Sequence, residues 1–103
     1  MVQINLCSDG YVWELKSIGH TDTQVCSGIS AILFAFAGAI QNLRGIYYRE
    51  EDMILQDGNF FIQIQVTEKV ELNKKIDCYF QMMMIGLLQI KKNYPESVDV
   101  IVE

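Results

Sequence analysis

The segment "VCSGISAILFAFAGAI", Val25 to Ile40, constrains this chain more than any other stretch. It runs for sixteen residues without a charged side chain. A bilayer-spanning helix needs roughly 18–20 apolar residues, so the run falls short of one. It reads instead as a buried helix, extending over residues 25–43. Its face is rich in alanine and glycine, so a neighbouring element must approach it closely.

The flanking sequence supplies that neighbour. "VQINLC" alternates Val2, Ile4 and Leu6 with polar residues, as a half-buried strand does. "SDG" marks a tight turn, and "YVWELKSI" reads as a second strand with Trp13 and Leu15 on one face. "GIYYREEDMILQDGNFFIQIQVT" reads as two more strands joined at Asp57-Gly58-Asn59, with "YYREED" as an exposed strand. A second helix is expected over residues 69–93. Leu72, Ile76, Tyr79, Phe80, Met83, Leu87, Ile90 and Tyr94 recur there at three- and four-residue steps. Pro95 ends it, and "SVDVIVE" supplies a last strand. The order is ββαββαβ. The expected fold is α+β, with two helices on one face of a mainly antiparallel sheet.

The 103 residues suit a single domain, 1–103, and half of them are hydrophobic. The net charge of -5 disfavours non-specific phosphate binding, so no direct nucleic-acid partner is expected. Cys7, Cys26 and Cys78 are an odd number, widely spaced and without a CxxC pair. That pattern argues against a disulfide framework or a zinc site and for reduced thiols in a cytoplasmic protein. The N-terminal residues show no signal-peptide pattern, so no membrane partner is expected either. Cys7 reads as structural, Cys78 as a small core residue, and Met82–Met84 as core and interface filler. Phe60, Phe61 and that methionine run exceed what a monomer of this length hides easily. A homodimer through the second helix or a sheet edge is therefore expected.

The chemistry lies just ahead of the apolar run, in "GHTDTQVCSGIS". His20, the only histidine, stands six residues before Cys26. A cysteine nucleophile reacts as thiolate, which a helix N-terminus and a neighbouring histidine both favour. Cys26 falls within the first turn of the expected helix, and His20 at the end of the preceding strand. Asp22, Thr23 or Gln24 then either orients the imidazole or caps the helix. The backbone amides of Cys26, Ser27 and Gly28 are candidates for an oxyanion hole. The same residues also admit a plainer reading: a buried cysteine opening a core helix, with a surface histidine nearby.

These residues resemble a known family, the ribosomal-processing cysteine proteases, small bacterial proteins often called Prp. The resemblance lies in the Gly19-His20 pair, the Val25-Cys26 pair with its small residues, Ser30 and the apolar helix. It continues in "GNFFIQI" and in "MMMIGLLQIKKNYPESVDV". It implies Cys26 as nucleophile, His20 as general base, Ser30 as a supporting site residue, and no cofactor or metal. It also implies an α+β homodimer that removes an N-terminal extension from a large-subunit ribosomal protein precursor, cutting after an aromatic residue. The basic tail of such a target suits an acidic partner. A second reading is a divergent relative that keeps the fold and the dimer. That relative would cleave another substrate, such as a phage structural protein, or nothing. Here the interval from histidine to cysteine is about half the family's, and Thr23 stands where the family carries aspartate, with Asp22 one place earlier.

Overall fold

A computed structural model describes every residue except Tyr47. The expected order ββαββαβ is observed, and five strands form one sheet in the order β3-β4-β2-β1-β5. Strand β1 (Val2–Ser8) and strand β2 (Val12–Ile18) form the first hairpin, with Leu6 opposite Leu15. Asp9 shapes its turn by accepting from the amides of Tyr11 (2.9 Å) and Val12 (3.1 Å). Strand β3 (Met53–Gln56) and strand β4 (Asn59–Gln65) form the second, across Asp57-Gly58. Strand β4 also pairs with β2, setting Ile18 opposite Asn59. Strand β5 (Val98–Val102) runs parallel to β1.

The strand expected through "YYREED" is not formed by its described residues. Glu50–Asp52 make a 3₁₀ turn, and pairing begins only at Met53. The cause is local. Asp52 accepts the Arg49 amide at 3.1 Å, and the Arg49 guanidinium reaches Glu51 and Asp52. Such bonds compete with a strand ladder. Tyr47 lies outside the described residues.

Helix α1 spans Thr23–Gln41 and helix α2 Val70–Asn93. Helix α1 starts and ends two residues earlier than the apolar pattern implies. Its N-cap is Asp22, whose carboxylate accepts the Gln24 amide at 2.9 Å. Val25, Ile29, Leu33, Phe36, Ala37 and Ile40 point inward from α1, and Leu72, Ile76, Phe80, Met83 and Leu87 from α2. They close over Ile4, Leu6, Leu15, Phe60, Ile62, Ile64 and Val98 of the sheet. The two helices pack with ordinary contact at Gly28 and more tightly at Gly86. A Cβ on Gly28 would meet Ile90 Cδ1 at 3.6 Å, and one on Gly86 would meet Ile32 Cδ1 at 3.0 Å.

At nineteen residues, α1 is long and apolar enough to cross a bilayer. Its inward stripe is instead part of the core. Three side chains differ from expectation. Tyr94 caps α2 and is exposed, as is Cys78, whose position on α2 turns away from the core. Phe60 is buried, so it leaves no apolar excess on the surface.

Candidate active site

Four residues, Gly19 to Asp22, connect β2 to α1. They are tightly placed. Gly19 has φ +112°, and a Cβ there would collide with the Met1 carbonyl oxygen. Only glycine fits both demands. The Gly19 amide donates to the Gly58 carbonyl at 3.0 Å, tying this connection to the tip of the β3–β4 hairpin. The His20 carbonyl accepts from the Met1 amino group at 3.1 Å. Its backbone is therefore held from two sides, while its side chain is exposed.

Cys26 is the fourth residue of α1 and half-buried. Its side chain packs against the edge of the core, and its sulfur also contacts the connecting segment. The Thr21 amide donates to Sγ at 3.2 Å, and the thiol donates to the Thr21 carbonyl at 3.5 Å. A donor aimed at sulfur suits an atom that must carry negative charge.

His20 and Cys26 open onto one cleft of about 270 Å³, shared with Thr21, Thr23, Ser27, Ser30 and Asp57. Beneath it lies a narrow recess lined by Ser17, Cys26, Ile29, Ser30, Gly58 and Phe60, among others. The short interval between histidine and cysteine thus brings both side chains to the same opening. Among the described residues, no hydrogen bond joins them. Ser30, one turn after Cys26, lies on the cleft wall.

One open role is resolved and one expectation needs correction. Asp22 spends its carboxylate on the Gln24 amide, so of the two roles weighed for it the cap is the one observed. The amides of Cys26, Ser27 and Gly28 are not free to form an oxyanion hole. Cys26 N–H is bonded to the Asp22 carbonyl at 2.9 Å, the first bond of the helical ladder. Ser27 and Gly28 lie further along that ladder, where amides bond to the carbonyl four residues back. The earlier start of α1 explains this shift. Among the described residues, the donors left at this terminus are the amides of Asp22, Thr23 and Val25, beside the Thr21 amide already on the sulfur.

Sequence reasoning missed Asp57. The sequence marks it only as a turn residue, yet it borders both the cleft and the recess below. The pairing of Ile18 with Asn59 carries it there, next to Gly19 and His20. An acidic residue at a hairpin tip is the only local signal, and it does not reveal which strand the hairpin will join.

The other thiols lie apart. Desolvation pushes the Cys7 thiol up from its ordinary range, aided by Asp9, Glu103 and Glu14. Among the described residues, no group of three His, Cys, Asp or Glu side chains is arranged to hold a metal ion.

Comparison with known proteins places the chain in a family. The family model described as cysteine protease Prp matches residues 1–99. No curated protein matches. The fold resembles the ribosomal processing protease Prp of S. aureus in complex with a covalently linked product peptide. The TM-score is 0.73, with 25% identity over the whole of both chains. The same S. aureus protease with a substrate peptide gives a TM-score of 0.71 at 22% identity, again over the whole of both chains. SMU.848 from Streptococcus mutans gives 0.71 at 17% identity, covering 99% of this chain and 93% of that one. With almost its full length matched by the family model, the chain belongs to the Prp family of cysteine proteases.

Proposed function

We propose that this protein is an endopeptidase that removes an N-terminal extension from a large-subunit ribosomal protein precursor. Cys26 is the nucleophile and His20 the general base. The observation that carries this reading is the shared cleft. The one histidine of the chain and a half-buried thiol open onto it at a strand-to-helix junction.

The chemistry follows from the positions. His20 accepts the Cys26 thiol proton, and the sulfur exchanges its contact with the Thr21 carbonyl for the imidazole. The sulfur attacks the scissile carbonyl while the Thr21, Thr23 and Val25 amides supply the donors nearest the developing oxyanion. His20 then passes its proton to the leaving amine. Water releases the N-terminal fragment from the thioester. The net charge of -5 suits a basic substrate tail.

The protein acts as a cytoplasmic homodimer. Its three free cysteines suit a reducing compartment. Phe34, Met82 and Ile85 are exposed on the helix layer, and Met82 also lines an apolar groove with Ile32, Phe36, Tyr79 and Met83. A second copy covering that face would remove the apolar surface from water.

The test is incubation with the host's own precursor, followed by intact mass spectrometry. The reading requires a single product, shortened at its N-terminus by a cut after an aromatic residue. An unprocessed precursor would reject it.

A further inference from the structure

The geometry points to a second element of the site, the β3–β4 hairpin tip. We propose that Gly58 is a positioning residue, the seat against which the His20 imidazole is set toward Cys26. This rests on the reading of His20 as the base and adds what places it.

The side chain of His20 is exposed, and among the described residues no hydrogen bond or ion pair fixes its ring. An imidazole so placed can change rotamer freely. What limits it is contact with Gly58. A Cβ built on Gly58 would overlap Nε2 and Cε1 of His20 and lie 3.1 Å from Cδ2. The ring therefore rests on bare backbone, in a place that any other residue would fill. Gly58 also has φ +77°, which L side chains rarely adopt.

Backbone pairing fixes the glycine relative to the residue that precedes His20. The Gly19 amide to Gly58 carbonyl bond ties the residue before His20 to the same glycine. The pairing of Ile18 with Asn59 fixes the hairpin one residue beyond on each side. A short connection has little chain of its own with which to close over a substrate. In this protein the hairpin takes over the placement of the histidine.

Asparagine tolerates positive φ but carries a Cβ, so Gly58→Asn separates the collision from turn strain. The assay is alkylation of Cys26 by iodoacetamide at neutral pH, with exposed Cys78 as internal control. It needs no peptide substrate, so it stands even if the precursor is not cleaved. In the parent protein, ring protons of His20 should show nuclear Overhauser contacts to the Gly58 Hα protons. In Gly58→Asn the His20 ring signals should move and Cys26 alkylation should fall about tenfold, part of the hundredfold or greater worth of a positioned base. Cys78 should react as before. In the His20→Ala background, Gly58→Asn should change Cys26 alkylation no further, because the two act as one unit. Folding of that double variant where Gly58→Asn alone is unfolded would support the collision directly. An equal fall in both backgrounds, unmoved ring signals, or absent contacts in the parent protein would each overturn the proposal.

Discussion

The backbone amide of Thr21 donates to the sulfur of Cys26 at 3.2 Å, so the segment that carries the histidine also holds the thiol. His20 and Cys26 are thus linked through one intervening residue's backbone rather than by direct contact. The thiol in turn donates to the Thr21 carbonyl at 3.5 Å, the contact that the proposed proton transfer to His20 would have to replace.

Cys26→Ala and Cys26→Ser should both abolish cleavage while leaving the fold intact. The cleft has no other thiol, and Ser27 and Ser30 are not expected to replace the sulfur as nucleophile. Product formation by mass spectrometry and unchanged thermal unfolding check both halves of this expectation.

Asp22 and Asp57 should separate by role. Asp22→Ala removes the N-cap of α1 and should cost about 1 kcal/mol of stability, read by denaturant unfolding. Asp22→Asn keeps a capping oxygen and should leave both stability and cleavage nearly unchanged. Asp57→Asn removes the carboxylate bordering the His20 cleft and should lower kcat several-fold with little change in KM.

Much of this arrangement could be read from local pattern. The alternation through Val2, Ile4 and Leu6 and the stripe from Leu72 to Leu87 each depend on neighbours a few residues away. So does the closeness of His20 to Cys26, six residues apart in the chain. What escaped the pattern was of two kinds. Asp57 and Gly58 reach the site only through the pairing of β2 with β4, a long-range register that no short window contains. Residues 49–52 carry polar side chains that bond to their own backbone, and these overrode a plausible strand. The free amides lie earlier than the apolar run implies, because α1 begins before that run does. Asp22 starts α1 while its first turn is still polar.

Cys7 makes stability depend on alkaline pH. Its thiol is raised in the folded protein by desolvation and then by Asp9, Glu103 and Glu14. Between the unfolded pKa, about 8.5, and the higher folded value, the unfolded chain holds fewer protons. Stability should therefore fall as pH rises through that window and be unaffected by Cys7 below it. Cys7→Ala should flatten the loss in urea titrations at stepped pH. The same shift should make Cys7 slower to alkylate at neutral pH than either other thiol.

Leu33 is fully buried at the centre of α1. Leu33→Ala should destabilise the fold by about 2–5 kcal/mol, measured by denaturant midpoint. Met82→Glu on the exposed helix face should leave stability nearly unchanged but shift sedimentation toward monomer at micromolar concentration.

The central claim is that Cys26 forms the covalent intermediate. The precursor is mixed with the protein, quenched in acid within the first turnover, and the protein is mapped by peptide mass spectrometry. The account predicts that the Cys26 peptide gains the mass of the precursor's N-terminal fragment, less one water. Cleavage with no adduct on Cys26, or with the adduct on Cys7 or Cys78, would contradict it.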